Sequence, residues 1–321
     1  MTVVTSNILE NFAMKFEKII NDGVPAKAPH KVNYEWKIVW RSVIFLSYIH
    51  LASLYGLAFC YISLWSFIWY FSFLTISGIG ITAGAHRLWS HRTYKAKSPM
   101  RLILIIFHTT ALQDSMYQWV RDHRMHHKFT DTDADPYNAR RGFFYSHVGW
   151  LMLRKHPDVI RKGATIDMSD LERDPLVVFQ KKWYPYLAVL SFIVLIIVPW
   201  WGWGENLWYA WHYALIKYCV HLNITWSVNS AAHIWGVKPF DKSITPTDNA
   251  GVSFITLGEG WHNYHHVFPW DYKAAEFGNY RLNVTTAFID LCAYLGLAYD
   301  LKTASADIVK KRVFQNSEMS Y

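Results

Sequence analysis

Eight of the sixteen histidines fall into three short boxes. These read His86-Arg-Leu-Trp-Ser-His91, His123-Arg-Met-His126-His127 and His262-Asn-Tyr-His265-His266. Neutral imidazole is a common ligand for borderline transition metals. Eight imidazoles, with no carboxylate inside any box, exceed the roughly four ligands that close a zinc site. They point to a site holding more than one metal ion. In the two HxxHH boxes, residues i, i+3 and i+4 share one helical face, so each box is expected to aim three rings at one point. The i, i+5 spacing of His86 and His91 suits such a face less well. Those two rings are expected to straddle a helix end or to serve two different metals.

The elements that must hold these boxes are apolar. The chain is 52% hydrophobic, with 17 tryptophans and 20 tyrosines, a composition that fits a membrane protein with aromatic belts. A membrane-crossing helix needs roughly 20 apolar residues. Four stretches qualify: 38–60, 64–85, 183–203 and 207–229. Arg41 lies near an end of the first and can snorkel. His212 and Lys217 make the fourth more polar, and such groups face a bundle interior. The connectors at 61–63 and 204–206 are short, which predicts two tight helical hairpins. Neither carries Lys or Arg, whereas residues 86–182 carry seventeen. The positive-inside rule then puts both termini, the middle segment and all three boxes in the cytosol. The expected fold is an all-α membrane protein with four transmembrane helices and a cytosolic helical cap (86–182 and 230–300). The cap would hold the His-rich dimetal site. A cytosolic segment, 1–37, would precede this single domain, 38–321, and a tail, 301–321, would end it.

Smaller signals fill in the cap. Pro99–Val120 reads as a helix packed at the interface, and Asp170 as a helix cap. The first 30 residues are charged and do not resemble a secretory signal peptide. Cys60, Cys219 and Cys292 form no disulfide framework and no CxxC zinc pattern. Asn223-Ile-Thr and Asn283-Val-Thr match the glycosylation pattern, but one is intramembrane and the other cytosolic in this topology, so neither is expected to be modified. The net charge of +8 reflects topology and attraction to anionic lipid rather than nucleic acid. It also suits an anionic headgroup or an acidic redox partner. There is no glycine-rich dinucleotide fingerprint and no haem-binding motif.

The boxes, with Asp122, Asp131-Thr-Asp-Ala-Asp-Pro136 and Gly258-Glu-Gly-Trp261 beside them, closely resemble the membrane-bound fatty acyl-CoA desaturases, those of insects above all. The resemblance runs from about Tyr34 to Asp300. It implies two iron ions on His86, His91, His123, His126, His127, His262, His265 and His266, with His233 as a ninth ligand. Asn229 would reach one iron through a water; its spacing of four from His233 would place both on one helical face. The implied reaction removes two hydrogens from adjacent carbons of a long-chain acyl-CoA, with dioxygen leaving as water. Position Δ9 is expected, and Δ11 or another position is the alternative. Electrons would come from cytochrome b5 and its reductase at the endoplasmic reticulum membrane. Asp122, Asp131, Asp135 and Glu259 are candidates for orienting the rings.

The resemblance also assigns substrate contacts. Arg121, Arg154 and Lys155 would meet coenzyme A, and Gln113, Trp119, Thr225 and Trp226 would form the wall where the tail bends. Leu74 and Gly78 would lie at the tunnel end, where vertebrate relatives commonly carry a larger aromatic residue, so a deeper tail is expected here. Asp114 and Ser42 depart from the Asn usual in relatives, near the headgroup path. His30, His50, His108, His147, His156, His212 and His221 are read as structural or surface. Two rival readings are a lipid hydroxylase, which shares the eight-histidine pattern, and a metal transporter or metal-binding membrane protein, which would need ligands at mid-membrane depth.

Overall fold

A long apolar run satisfies its backbone hydrogen bonds most readily within itself, as a helix. Among the described residues, three helices are long and apolar enough to cross a membrane: α1 (Trp40–Phe59), α2 (Leu64–Ser90) and α5 (Pro175–Trp203). This computed structural model describes residues 34–276 and 280–318. The expected N-terminal segment lies outside them up to residue 33. Between α2 and α5 come α3 (Ser98–Ala111) and α4 (Met116–Phe129). After α5 follow α6 (Leu207–Asn229), α7 (Ala250–Ile255), α8 (His262–Val267), α9 (Val284–Tyr294) and α10 (Ala306–Glu318).

The fourth expected span forms as a 23-residue helix, α6, but it does not join the three apolar ones. Its polar residues are the reason, and they face inward. Lys217 Nζ donates to Ser77 Oγ and to the Thr110 carbonyl, each at 2.7 Å. His212 Nδ1 lies 3.0 Å from the Ala52 carbonyl. The hairpin expectation also needs amending. α6 is the central helix, packed against α1, α2 and α5, and α1 takes α6 rather than α2 as its main neighbour. The two short connectors meet at the end of the helices away from the boxes. There Ser63 Oγ donates to Glu205 at 2.8 Å, and Tyr213 donates to the Cys60 carbonyl at 2.8 Å.

Helix ends follow local capping more closely than the apolar pattern. α5 starts at Pro175, eight residues before its apolar run, because Asp174 accepts from the Leu176 and Val177 amides and proline suits the first helical position. Asp170 caps nothing: Met168 holds the N-cap position of the turn Ser169–Glu172, and Asp170 pairs with Arg92 and Arg124. The stretch Pro99–Val120 is two helices. Leu112 and Asp114 adopt positive φ of 58° and 73°, which breaks the chain between α3 and α4, and Ser115 then caps α4 through the Gln118 amide. α2 and α3 cross so closely that a Cβ on Gly80 would sit 2.2 Å from the His108 amide nitrogen.

Beneath the boxes lies a core that includes Trp89, Leu104, Met116, Leu171 and Ile289. A two-residue antiparallel pair, β1 (Lys95–Ala96) with β2 (Ala298–Tyr299), ties the chain after the first box to the segment after α9. Both glycosylation-pattern asparagines are engaged: Asn223 donates to the Cys219 carbonyl, and Asn283 is fully buried.

Candidate metal centre

α2 ends in a wide turn. From Gly80 to Ser90 it is a π-helix, with bonds running between residues five apart. The His91 amide donates to the His86 carbonyl at 3.1 Å. This pattern stacks residues five apart, so the spacing that suits an α-helical face poorly is the spacing a π turn requires. His91 is the C-cap, so the two rings do straddle a helix end. They serve one cluster, not two.

The first cluster holds His86, His91, His123, His127 and His265; the second holds His126, His233, His262 and His266. Within each, the ligand atoms lie within 4.8 Å of one another. No HxxHH box aims three rings at one point. Residue i+4 lies about 40° around a helix from i, whereas i+3 lies about 60° to the other side. So His123 and His127 go together while His126 crosses over, and His262 and His266 go together while His265 crosses back. α4 and α8 each lend one ring to the other's cluster.

Nε2 atoms converge inside each cluster. His86 and His265 are 2.9 Å apart at Nε2, His91 and His123 2.8 Å, His127 and His265 3.0 Å. In the second cluster, His262 Nε2 lies 3.0 Å from that of His233 and 3.1 Å from that of His266. Burial, reinforced by the neighbouring imidazoles, holds His91, His123, His127, His262, His265 and His266 well below the usual histidine range. A neutral imidazole has one N–H and one lone pair. Nests of buried lone pairs at these distances match the donor set of a transition metal. His126 Nε2, buried with no hydrogen-bond partner among the described residues, fits the same reading. The residues present can hold metal ions.

Carboxylates orient rings from behind, by the outer-shell arrangement common at metal sites. His86 Nδ1 lies 2.6 Å from Glu259, and His126 Nδ1 lies 3.0 Å from both oxygens of Asp135. His233 Nδ1 lies 3.3 Å from Thr245 Oγ1 and 3.7 Å from Asp131. Asp122 does not share this role. Its carboxylate is taken by Gln118, Lys155 and Arg121.

Glu259 is itself held by Arg87, a guanidinium only 1% exposed. Arg87 Nη2 and Nε donate to one Glu259 oxygen at 2.8 and 3.1 Å. The guanidinium also donates to the Tyr272 carbonyl, Thr286 and Asn283. Burial raises the Glu259 pKa, but Arg87 and His86 outweigh it and bring it down to about 2. That value lies below the ordinary 4.5, so the pair stabilises fully above the ordinary value and fades as pH falls toward 2. Replacing Glu259 with glutamine is expected to cost about 3 kcal/mol at neutral pH, because Arg87 is left buried without a counter-charge. The gap from the unmodified protein should close in acid. Thermal unfolding of both proteins across a pH series checks this, and a gap constant with pH would count against it.

Residue-by-residue reading of the sequence missed a further support. Asp248 accepts from the Asn263 and Tyr264 amides at 2.9 and 3.1 Å, in the first turn of α8. Asn263, inside the third box and fully buried, accepts from the Phe240 and Asp241 amides. A lone amide between ligating histidines was the available signal.

Two cavities meet at the clusters. One, of about 350 Å³, is lined by His86, His123, His126 and His262 and runs past Gly78 and Leu74 to Phe71. His221, read as structural, lines it too. The other, of about 1020 Å³, reaches a polar mouth with Arg41, Ser42, Asp114 and Lys155. Trp119, His123, Thr225 and Asn229 line both. Gln113 donates to Thr225 at 2.8 Å, and Trp226 lies beside them in the larger wall. The two arginines expected to meet coenzyme A are not among the larger cavity's lining residues. Arg154 is exposed on the surface and Arg121 pairs with Asp122. Arg41, expected only to snorkel, does line it. Asn229 ends α6, and a separate turn, Ala231–Ile234, carries His233, so the two do not share one continuous helix.

Helices of membrane-spanning length thus present two imidazole clusters at one end, beside an apolar cavity. The family model for fatty acid desaturases matches residues 63–283, and the chain belongs to that family. It is 55% identical to an acyl-CoA Δ9 desaturase of Acheta domesticus, over 92% of this chain and 83% of that one. Identity to an acyl-CoA Δ12 desaturase of the same species is 50%, over 97% and 88%. Identity to an acyl-CoA Δ11 desaturase of Trichoplusia ni is 53%, over 91% and 85%. The protein is an oxygen-dependent acyl-CoA desaturase, an oxidoreductase of fatty acid metabolism.

Proposed function

We propose that the protein inserts a double bond at Δ9 of a saturated long-chain acyl-CoA. The observation that carries this is the apolar cavity leading from the two imidazole clusters along α2. Two iron ions, held by the nine histidines with Asn229 assisting through a water, would supply the oxidising power to remove hydrogen from an unactivated methylene. Zinc is excluded from that role by its lack of redox chemistry.

The chain's own residues place the substrate. At the mouth, Arg41 and the Lys155–Asp122 pair would meet the polar headgroup. The Gln113–Thr225 bond and the Trp119 ring, stacked on His123, form the wall where the tail turns toward the clusters. Beyond it, each methylene buried contributes about 0.8 kcal/mol, so a long tail binds without polar contacts. Carboxylates behind the rings keep Nε2 directed inward.

In the membrane, α6 would be the fourth span, its polar side chains shielded by α1, α2 and α5. The basic middle segment and both termini would face the cytosol at the endoplasmic reticulum. Cytochrome b5, fed by its reductase, would deliver electrons to that basic face. A Δ11 product is the second reading, favoured by the nearly equal identity to the Trichoplusia ni enzyme. The ligands gather at the end of the spans rather than midway, which argues against a metal transporter.

A fatty acid profile with double-bond location, after expression in a desaturase-deficient yeast, tests the proposal. Monounsaturated acids with a Δ9 bond are expected, and none in a His126→Ala control. A Δ11 bond would favour the second reading, and hydroxylated acids would overturn desaturation.

A further inference from the structure

The larger cavity has a limb that the substrate path just described does not need. Trp211, Leu215, Tyr218, Leu222 and Thr225 mark one stripe of α6, spaced three or four residues apart and about 21 Å long at the helical rise. The lower part of this stripe lies between α1 and α5. Its side walls are Tyr48 and Phe45 from α1, and Ala188, Val189 and Ile193 from α5. Phe45, Val189 and Ile193 line the cavity and are also 50, 60 and 47% exposed, on apolar helices long enough to cross a membrane. One continuous space therefore joins the polar mouth, the Gln113–Thr225 bend and a slot open sideways along the apolar belt.

We propose that this slot is a lateral port, through which the acyl tail of the acyl-CoA passes from the leaflet into the site. The inference rests on the desaturase reading, and its occupant is the substrate's own tail. Two properties select that occupant over a resident lipid. The slot is continuous with the wall that carries His123, and its upper end is the polar mouth of Arg41, Asp114, Asp122 and Lys155, where a charged headgroup can stay in water. With only the polar mouth as entrance, a tail lodged in the bilayer would have to be drawn entirely into water before it could thread into the cavity. Sideways passage between α1 and α5 keeps every methylene in apolar surroundings.

The full-length protein in phosphatidylcholine nanodiscs tests this with a long-chain saturated acyl-CoA carrying a mid-chain diazirine. Photolabelling is expected on the α1 segment around Tyr48 and the α5 segment around Ile193, and it should be competed by unlabelled acyl-CoA. Ala188→Trp, which fills the slot, should lower kcat/KM in nanodiscs about tenfold. In detergent micelles, where no leaflet holds the tail, the loss should stay under about twofold. Leu190→Trp, on the same helix but outside the slot and 57% exposed, should change neither. Labelling by a diazirine phosphatidylcholine that acyl-CoA does not displace would overturn the proposal in favour of a resident lipid. Equal loss in both media for Ala188→Trp would also overturn it. If the unmodified protein forms no olefin in either medium, the desaturase reading fails, while labelling of the slot still decides the port.

Discussion

Exchanging His262 for alanine is expected to abolish desaturation, lowering product by more than about 100-fold, and to empty one metal position. His265→Ala should be as damaging to activity but different in metal content. The two residues are three apart in one box, yet His262 belongs to the cluster of four and His265 to the cluster of five. Removing His262 leaves three imidazoles around its ion, and removing His265 leaves four around the other. Metal bound per chain is therefore expected to fall further in His262→Ala. The same contrast should appear in the second box, between His126→Ala and His127→Ala. Elemental analysis of the purified variants, beside their product profiles, settles it. Equal metal loss from all four would mean that the boxes act as undivided units, contrary to the crossed arrangement.

A change of chain length is expected from Leu74→Trp. Leu74 lines the far reach of the smaller cavity, and an indole there would shorten the space for the tail. Loss of about two methylenes of burial corresponds to about 1.6 kcal/mol, or roughly a tenfold shift of products toward shorter acids. Gly78→Trp should shift products the same way, at a cost in stability. A Cβ at Gly78 would lie 2.8 Å from Leu257 Cδ1, so Leu257 must first move. An unchanged product distribution in a folded Leu74→Trp protein would place the end of the tail elsewhere.

Much of the centre was legible because imidazole is an uncommon residue with a specific use, and three boxes leave little room for accident. What the spacing hid was direction. α-Helical geometry says that His123, His126 and His127 share a broad face, but the angle between i+3 and i+4 is wide enough to divide them between two points. The His86–His91 spacing became intelligible only with the π turn, which no local propensity announces. Among the carboxylates, Asp131, Asp135 and Glu259 stand behind rings, whereas Asp122 lies on a helix beside Lys155 and answers to that charge. Apolar runs located α1, α2 and α5 well. They gave α6 its bounds, 207–229, and its inward polar groups, but not α5's start, which Asp174 sets, nor the partners of Lys217, Ser77 and Thr110, which lie far away in sequence.

The Arg87 contact has a consequence for how the protein is made. Its partner Glu259 is 172 residues further along the chain, and Asn283 is 196. α2 is synthesised and able to insert long before either residue leaves the ribosome. Until they arrive, a guanidinium destined for full burial has no counter-charge, and burying it alone is strongly unfavourable. The end of α2 must then wait in contact with water, its first box unassembled. Contacts of such long separation close late in folding, so the histidine centre takes shape only after α8 and α9 have been made. A ribosome stalled after α6 would carry inserted helices with no competent site, and the growing lipid enzyme stays chemically silent during its own synthesis.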